Sequence, residues 1–512
     1  MFSKIFSSAT YGIDAYIIEV ETHSEKQIPS FAIVGLPDNA VKESRDRVIA
    51  AIRNSGYEFP LKRLTINLAP ADIKKEGSSF DLPIALGILI SSEKIENVPL
   101  DEYVLMGELS LDGTLRKVKG TLPIAFEARK EGYKKIIVPA DSAKEASIVE
   151  GIEVYGLNSL TEVIDLIIGE KEFEKVTTDL NEIFSEINIY HLDFSDVKGQ
   201  ENVKRALEIA AAGGHNILMI GPPGSGKTML AKRFPSILPP LTFEEALETT
   251  KIHSVAGILS KNKALITERP FRSPHHTVSD AALIGGGSFP RPGEVSFSHH
   301  GVLFLDELPE FKKNVLEVLR QPLEDSRVTI SRSKMTLEFP ANFMLAAAMN
   351  PCPCGFYTDP EKQCTCTQMQ IQKYMSRISG PLLDRIDIHI EVPAVKFKDI
   401  SSVSKGEKSA EIRKRVVAAR KIQMERFKDL KGLHSNSDMG SKEIRVFCQV
   451  DQAGSDLLKM AMTKLGFSAR AYDRILKVSR TIADLEGCEN ILPQHISEAI
   501  QYRSLDRELW NH

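Results

Sequence analysis

The sequence predicts a multidomain α/β protein whose last part is helical. Segments with the apolar pattern of buried strands alternate with helix-like segments before position 396, whereas only helical periodicity follows position 408. The chain has 512 residues, too many for a single hydrophobic core. We therefore expect an α/β domain over 1–170, a charged linker over 171–190, a second α/β domain over 191–395 and a helical domain over 396–512.

Hydrophobic spacing predicts the individual elements. Apolar runs with few polar interruptions favour strands, and apolar residues three or four positions apart favour helices. The predicted strands are 16–21, 31–36, 63–70, 134–140, 217–220, 301–307 and 342–350. The predicted helices are 39–56, 82–92, 411–432, 451–466 and 468–487. Because helices separate the strands of the second domain, we expect a parallel sheet that binds its ligand at the carboxyl ends of the strands.

The composition is that of an ordinary globular protein and excludes few functions. Apolar residues make up 42% and charged residues 26% of the chain, and the formal net charge is −4. That balance does not indicate nucleic-acid binding, although it is compatible with a local basic surface. The sequence has no run of roughly eighteen apolar residues and no apolar signal segment at its start, so we expect a cytoplasmic protein without membrane contact.

A glycine-rich loop between a predicted strand and a predicted helix matches the G-x-x-x-x-G-K-[ST] pattern in full. Its residues are Gly221, Pro222, Pro223, Gly224, Ser225, Gly226, Lys227 and Thr228. Glycines let successive backbone N–H groups converge on phosphate oxygens, and the helix start adds partial positive charge. The flanking strand and helix are the context that this motif requires, which makes a chance match the weaker interpretation. We expect ATP here, with Lys227 on the β- and γ-phosphates and Thr228 on Mg²⁺.

Acidic and amide side chains follow the next two buried strands. Asp306 and Glu307 end the run VLFLDE, and Asn350 ends NFMLAAAMN. We expect Asp306 to hold Mg²⁺, and Glu307 to orient or deprotonate the attacking water. Asn350 would place that water through its amide, or simply cap a turn. The combined pattern predicts ATP hydrolysis without indicating what the energy drives.

Two arginines are candidates for contacting the γ-phosphate. ATPase domains followed by a helical domain commonly form rings, in which a neighbouring subunit supplies an arginine finger that raises the rate by about 10³–10⁵. We predict Arg385 as this finger, with Arg377 as the competing candidate and a salt bridge to a nearby aspartate as the alternative role. At the start of the last long helix, Arg470 is the predicted nucleotide sensor and Arg474 is its rival.

Three longer segments carry a resemblance to a known family. They are RPFRSPHHTVSDAALIGGGSFPRPGEVSFSHHGVLFLDELPEF (269–311), NPCPCG (350–355) and RISGPLLDRIDIHIEVP (377–393). Together with the glycine loop they are similar to the ComM/YifB family of magnesium-chelatase-like AAA+ ATPases, over essentially the whole chain. The resemblance implies a P-loop AAA+ module of the helix-2-insert clade with a C-terminal helical lid, assembled as a hexameric ring. It also implies the roles given above for the residues of the phosphate site and for the two arginines.

The N-terminal domain resembles the proteolytic domain of Lon, a ribosomal-S5-like α/β fold. The segment 74–89 aligns Ser79 with the Lon nucleophile, and the segment 107–140 aligns Leu122 with the lysine that activates it. A serine hydroxyl is a weak nucleophile without such a base. The nearest lysine, Lys119, is out of register. We therefore expect a non-proteolytic domain that binds a partner or helps to build the ring.

Two groups of residues are candidate metal ligands. The first is a C-x-C, nine residues, C-x-C cluster formed by Cys352, Cys354, Cys364 and Cys366. Four thiolates can close a structural Zn²⁺ site, and the alternative is reduced free cysteines in a loop. The second group is two histidine pairs in a glycine-rich segment, His275–His276 and His299–His300. For these, a loop that faces the pore of a ring is favoured over metal binding.

Two classes of function remain open for the predicted ATPase. The family resemblance implies a ring motor on single-stranded or branched DNA, since ComM is associated with branch migration in natural transformation. A magnesium-chelatase-like motor for metal insertion or protein remodelling is the alternative, although the chelatase ATPase does not begin with a Lon-like domain. The predicted helix 411–432 offers either a basic face for phosphates or an ordinary solvated surface. Its cations are Arg413, Lys414, Arg415, Arg420, Lys421, Arg426, Lys428 and Lys431.

Overall fold

The computed structural model divides the chain into two compact units. The first is Met1–Ile187 together with Thr242–Thr267, and the second is Asn188–Leu241 together with Glu268–His512. Residues 181–182 and 184–189 of the predicted linker 171–190 lie outside the described residues, and so does Lys431. The residues that the structure describes are 1–71, 74–75, 77–95, 100–180, 183, 190, 192–260, 263–287, 289–332, 335–357, 359, 362–394, 406–430, 432–465 and 467–503.

Strands and helices alternate through most of the chain, and among the described residues the elements that follow the last strand are helices. The strands are β1 Phe2–Tyr11, β2 Asp14–Glu25, β3 Ser30–Val34, β4 Arg63–Ala69, β5 Tyr103–Leu105, β6 Glu108–Leu109, β7 Leu115–Arg116, β8 Lys135–Pro139, β9 Glu153–Leu157, β10 Ile217–Ile220, β11 Phe271–Arg272, β12 Gly285–Gly286, β13 Arg291–Pro292, β14 Val302–Leu305, β15 Arg327–Arg332, β16 Met335–Pro340, β17 Met344–Met349 and β18 Ile388–Glu391. The α-helices are α1 Asn39–Asn54, α2 Asp81–Ser91, α3 Thr121–Lys130, α4 Ala140–Ala146, α5 Leu160–Ile168, α6 Glu201–Gly213, α7 Lys227–Arg233, α8 Phe243–Ala256, α9 Asp280–Ile284, α10 Glu294–Phe297, α11 Lys313–Glu317, α12 Arg320–Asp325, α13 Gln368–Met375, α14 Gly380–Leu383, α15 Ser409–Phe427, α16 Ser441–Phe447, α17 Gln452–Leu465, α18 Ala469–Leu485 and α19 Pro493–Gln501. None of the helices in the described part of the chain combines the length and the hydropathy that a membrane crossing needs.

The first unit is built on a mixed sheet in the order β3-β4-β2-β1-β5-β8-β9. Strand β2 is antiparallel to β1 and β4, and the other neighbouring strands run parallel. Helix α2 is buried along its whole length, as its uninterrupted apolar sequence predicts. Gly87 allows this helix to approach the sheet, because a Cβ at that position would lie 2.5 Å from the Thr22 hydroxyl oxygen.

Strand β1 is absent from the strands predicted above because its composition is too polar. Ser3, Ser7 and Ser8 are buried rather than exposed, so polar residues interrupt the apolar alternation that marks a strand. Burial of these hydroxyls is tolerated where they find an acceptor. Ser3 Oγ, for example, donates to the carbonyl oxygen of Gly87 at 2.9 Å.

Helix α8 belongs to the first unit although it follows the glycine loop in sequence. Its start is fixed by a capping box between Thr242 and Glu245, and it ends at Gly257 with a φ of 73°. The carboxylate of Glu145 accepts a hydrogen bond from the hydroxyl of Ser254 in this helix, and one from the Leu122 N–H at 2.9 Å. The segment Thr242–Thr267 therefore clusters with the N-terminal unit and not with the phosphate-binding sheet.

The second unit contains a five-stranded sheet in the order β11-β14-β17-β10-β18, and all of its strand pairs are parallel. This arrangement confirms the predicted parallel sheet. Strands β10 and β14 are buried at every position, as expected of a sheet covered on both faces. The C-terminal helices α15, α17, α18 and α19 contribute to the same hydrophobic core as β10 and β17.

A buried polar cluster joins the last strand of this sheet to helix α18. Asp387 precedes β18 and is 2% exposed, and its carboxylate pairs with the guanidinium of Arg474. His215 Nδ1 lies 3.3 Å from Asp387 Oδ2, and His215 Nε2 lies 2.8 Å from Thr481 Oγ1. Burial alone would raise the pKa of Asp387, but the charges of Arg474 and His215 hold this pKa well below its usual range.

Candidate functional site

The predicted phosphate site lies at one edge of the parallel sheet. Ile220 of β10 pairs with Met349 of β17, and Leu305 of β14 pairs with Ala347 of the same strand. Since these three strands are parallel neighbours, the residues that follow them emerge at the same edge. The glycine loop, the Asp306–Glu307 pair and Asn350 are therefore brought together.

Glycine is required at two kinds of position in the loop. Gly224 and Gly226 have φ values of 78° and 90°, in the left-handed region that disfavours other residues. Gly221 is required for space, because a Cβ there would lie 2.1 Å from the carbonyl oxygen of Val392. Glycines in these conformations allow the backbone N–H groups of such a loop to converge on an anion.

Lys227 is buried and anchors the loop. Its ammonium donates to the carbonyl oxygens of Gly221 at 2.7 Å and Pro222 at 2.9 Å. It also lies 3.3 Å from Asn350 Oδ1, at the end of β17. Burial lowers the pKa of Lys227 to about 8, against the opposing attraction of Asp306. An ammonium in this position is suited to phosphate oxygens that enter the loop.

Thr228 and Asp306, the predicted Mg²⁺ ligands, lie side by side. Thr228 Oγ1 donates to Asp306 Oδ2 at 2.6 Å. Neighbouring ligands in an octahedral Mg²⁺ shell with bonds of 2.0–2.1 Å lie about 2.9 Å apart. Moving these two oxygens slightly apart would therefore place them at adjacent ligand positions of a Mg²⁺ ion. A bound Mg²⁺ would bring the phosphates and these two side chains together and offset the developing charge.

Glu307 comes directly after Asp306, the aspartate predicted to hold Mg²⁺, and contacts a histidine. Its backbone φ is 53°, and its N–H donates to Asp306 Oδ1 at 3.0 Å. Its carboxylate Oε2 lies 3.2 Å from His276 Nδ1. The prediction from the sequence names Glu307 and treats His276 only as a weak metal candidate. The contact between them depends on the neighbouring positions of β11 and β14, which sequence spacing does not reveal.

The two finger candidates have opposite environments. Arg385 is 5% exposed, and its guanidinium pairs with Glu324 and donates to the Pro381 carbonyl. Its partner is therefore not one of the neighbouring aspartates, and its burial argues against the predicted contact with a neighbouring subunit. Arg377 is about half exposed and lies 2.7 Å from Glu310 Oε2. Of the two arginines, only Arg377 presents its charge to solvent.

The two sensor candidates also differ. The side chain of Arg470 is 66% exposed, with Nη1 3.5 Å from Asp384 Oδ2. Arg474 is committed to the buried carboxylate of Asp387. A weak exposed pair is readily exchanged for a phosphate, whereas a buried pair is not. Arg470 therefore remains the predicted sensor, and Arg474 has a structural partner.

The four clustered cysteines converge on one point. Their Sγ atoms all lie within 4.8 Å of one another, and all four are free thiols. Cys352 lies 3.3 Å from Cys354 and 3.7 Å from Cys364, and Cys354 lies 3.5 Å from Cys364. A tetrahedral zinc with bonds of about 2.3 Å needs sulfur separations of about 3.8 Å. The donor set therefore fits a tetrahedral Zn²⁺ after a small expansion.

One of these thiols is poised for ionisation. Burial alone would raise the pKa of Cys354, but the N–H groups of Phe356 and Thr365 lower this pKa to about 5. The cluster also contacts the phosphate site, since a Cβ at Gly355 would lie 2.4 Å from Pro223 Cδ. A metal here would brace the chain between Asn350 and the glycine loop.

The other histidine pair has a structural role in the second unit. His299 is buried, and its Nδ1 accepts the N–H of Asn342 at 3.0 Å. The rings of His299 and His300 lie 3.9 Å apart. In the glycine-rich segment before them, β12 and β13 pair antiparallel through Gly285 and Pro292.

Ser79 and Leu122, the residues aligned with the Lon nucleophile and lysine, lie near the starts of α2 and α3. Ser79 precedes helix α2, and its carbonyl accepts the Gly107 N–H at 2.9 Å. Leu122 is completely buried near the start of α3. Lys117 Nζ donates to the carbonyl oxygen of Leu259 at 2.8 Å, so this lysine contacts the segment Thr242–Thr267 of the same unit. Burial raises the pKa of Glu145, whose carboxylate accepts the hydrogen bond from the Leu122 N–H.

The basic helix predicted at 411–432 is α15, and many of its charges are paired within the second unit. Arg415 contacts Glu208 and Glu407, and Arg426 contacts the buried Asp484. Lys414 and Lys428 pair with Glu411 and Glu425 one turn earlier. These pairs favour a surface balanced within the chain over a dedicated phosphate-binding face.

Comparisons with known proteins found matches in each of the three predicted domains. Family models described as "Subunit ChlI of Mg-chelatase", "Magnesium chelatase, subunit ChlI" and "Magnesium chelatase, subunit ChlI C-terminal" match 20–142, 193–400 and 406–503. The chain is 31% identical over 129 residues to Lon protease 2 of Bacillus subtilis, covering 25% of this chain and 23% of that protein.

Several relatives match over nearly the whole length, including the two that follow. The chain is 44% identical over 509 residues to Competence protein ComM of Haemophilus influenzae, covering 99% of this chain and 98% of that protein. It is 46% identical over 510 residues to the protein YifB of Escherichia coli, again covering 99% and 98%. With its parallel sheet and phosphate loop, the chain belongs to the ComM/YifB family of magnesium-chelatase-like AAA+ ATPases.

Proposed function

We propose that this protein hydrolyses ATP in a hexameric ring and uses the energy to move DNA strands, driving branch migration of recombination intermediates during natural transformation. The observation that carries the proposal is the convergence of Lys227, Thr228, Asp306, Glu307 and Asn350 at one sheet edge. The near full-length similarity to Competence protein ComM supports the choice of DNA.

The arrangement supplies each requirement of hydrolysis from a separate element. Lys227 binds the phosphates, and Thr228 with Asp306 holds Mg²⁺ against them. Glu307 accepts a proton from the attacking water, and the Asn350 amide orients that water beside the γ-phosphate. The helix-2-insert segment, the helical lid and the Arg470 sensor would couple these steps to the ring.

A labelled four-way junction tests the proposal. The wild-type protein with ATP should separate the junction into duplexes, and Lys227→Ala should leave it intact because the phosphates lose their ammonium. Single-stranded or branched DNA should stimulate ATP turnover, with binding that weakens steeply as salt rises. If turnover ignores DNA and the junction stays intact, the DNA proposal is wrong.

The second candidate function is a motor for metal insertion or protein remodelling. The family models favour it, since all three are described by a magnesium-chelatase subunit. This alternative expects ATP turnover that responds to a protein partner and not to DNA. The junction experiment therefore separates the two functions.

We propose that Arg377 replaces Arg385 as the finger. Its charge is exposed beside a surface cavity of about 480 Å³, which Lys313 and Lys373 also line. Arg377→Ala should lower DNA-stimulated turnover by about 10³-fold with little loss of stability. Arg385→Ala should instead lower the thermal unfolding midpoint, because it removes a buried guanidinium from its partners.

Mixing two inactive variants provides a sharper test of this role. Arg377→Ala subunits have an intact phosphate loop, and Lys227→Ala subunits have an intact finger. In mixed rings, a minority of interfaces joins the intact phosphate loop of one subunit to the intact finger of its neighbour. Turnover should therefore partly return. No recovery on mixing would contradict a finger that acts across subunits.

We also propose that the four-cysteine cluster binds one structural Zn²⁺. Metal analysis should find about one zinc per chain, and Cys364→Ser should release it and lower the thermal midpoint. Because Gly355 packs against Pro223, zinc loss should also raise the KM for ATP. Cys448→Ser, at a buried cysteine that belongs to neither group of possible metal ligands, is the control for zinc content. Full occupancy in Cys364→Ser would contradict the site.

A further inference from the structure

The sheet of the first unit has one covered edge and one open edge. At the covered edge, the Val176 N–H donates to the carbonyl oxygen of Val154 in β9 at 2.8 Å. Lys175 and Glu153 form an ion pair of 3.5 Å along the same edge. At the other edge, β3 pairs with β4, and within the described residues no second strand lies beside it. The outer N–H and C=O groups of β3 can therefore pair with another strand.

Strand β3 has none of the features that usually protect a free edge. Proteins commonly block such an edge with a charged side chain, a proline or a bulge in the strand. The five residues Ser30–Val34 include no charged residue and no proline, and they pair with β4 in continuous register. The strand is therefore a regular template for a further strand.

Apolar side chains are exposed on this strand and on both sides of it. Val34 is 46% exposed, and the flanking residues Ile28 and Leu36 are 87% and 55% exposed. Phe31 and Ile33 are partly buried and pack against the hydrophobic core of the unit. Exposed apolar surface of this kind is typical of a contact with another protein.

The edge is complementary to a second copy of itself. An antiparallel pair centred on Ala32 places Phe31 of one copy opposite Ile33 of the other, which extends the core across the contact. It also brings Ile28 of one copy towards Leu36 of the other, since each lies four positions from Ala32. Facing apolar side chains stabilise a strand pair, and the small side chain at the centre lets the backbones approach closely.

We infer that β3 is an interface between two copies of this chain, whose strands pair antiparallel about a two-fold axis at Ala32. Such a contact is isologous, so within the proposed hexamers it joins subunits of two rings and not neighbours around one ring. The inference requires neither DNA nor ATP hydrolysis, because all of its residues lie in the first unit.

Mass photometry of the full chain tests whether this interface forms. A lysine on an edge strand blocks pairing, so Ala32→Lys should halve the mass of the largest assembly. Because position 32 is exposed, the variant should keep the wild-type thermal midpoint and ATP turnover. Ala32→Thr introduces a residue that favours strands and should keep the larger assembly. Thr161→Lys, at an exposed position of α5, is the matched control and should have the wild-type mass.

Cysteine cross-linking tests the register of the two strands. Ser30→Cys and Val34→Cys chains that are expressed together should be joined by a thiol cross-linker spanning about 5 Å, because these positions face each other in the strand pair. Neither variant alone should give this product, since identical positions would lie about 13 Å apart. Wild-type protein treated in the same way gives the background from the native cysteines.

The outcomes separate this inference from the proposed function. Equal masses of wild-type and folded Ala32→Lys proteins would overturn the inference, even when DNA stimulates ATP turnover as proposed. Cross-linking of each single variant as efficient as that of the mixture would also overturn it, because the strands would then pair in another register. A wild-type protein that ignores DNA but shows the expected masses and cross-links contradicts the proposed function and supports the interface.

Discussion

Glu307→Gln is expected to lower ATP turnover by about 10²–10⁴-fold while leaving the affinity for ATP nearly unchanged. The amide cannot accept the proton from water, but the loop, Lys227 and the Thr228–Asp306 pair remain intact. The loss should therefore appear in kcat and not in the dissociation constant of a fluorescent ATP analogue. The proposed rings would then bind ATP without hydrolysing it, and they should persist longer in size-exclusion chromatography.

A matched substitution on the same unit controls for this variant. Glu338 is exposed and pairs with Arg327 on the β15–β16 hairpin, so Glu338→Gln should keep wild-type turnover. A Glu307→Gln protein that retains more than a tenth of the wild-type kcat would remove Glu307 from the role of base.

Asp387→Ala is expected to lower the free energy of unfolding of the second unit by about 3–5 kcal/mol. The substitution leaves Arg474 and His215 without the buried carboxylate between them, and an uncompensated charge is expensive in this environment. Asp384→Ala, three residues earlier, removes only the partner of exposed Arg470 and should change stability by less than about 1 kcal/mol. Urea unfolding of each variant, monitored by hydrogen exchange of the backbone amides in α18, measures both changes in stability.

The same carboxylate gives the second unit an acid-sensitive component of stability. The folded-state pKa of Asp387 lies below its unfolded value of about 3.9, so only the unfolded chain takes up this proton. Its stabilising contribution is present above about pH 4 and declines as the pH falls further. Asp387→Asn should show a shallower loss of stability on acidification than wild type. Equal slopes would show that the ion pair does not set this dependence.

Hydrophobic spacing predicted the elements whose buried side chains are almost all apolar. The helix predicted at 82–92 is Asp81–Ser91, and the strand predicted at 342–350 contains Met344–Met349. Strand β1 escaped prediction because its inner face carries serines that are buried against α2. The placement of α8 was equally hidden, since its partners Glu145 and Gly120 lie more than a hundred residues earlier.

At the candidate functional site too, positions set by local motifs were predictable and long-range contacts were not. A parallel sheet brings residues at the ends of its strands together, so the positions of Lys227, Asp306 and Asn350 follow from local motifs. The environment of Arg385 does not, because its partner Glu324 is 61 residues away in sequence. Charge pairs of this kind depend on tertiary packing, which a short motif does not encode.

The insertion of α8 bears on how the gene can be cut and recombined. The segment leaves and re-enters the second unit at one place, because Arg269 donates to the carbonyls of Pro239 at 2.6 Å and Pro240 at 3.3 Å. A fragment that ends at Ile187 would lack the helix that supplies Ser254 to buried Glu145. Shuffling the N-terminal unit between relatives therefore requires two coordinated exchanges, and a single crossover in the linker would produce a chimera with a mismatched interior.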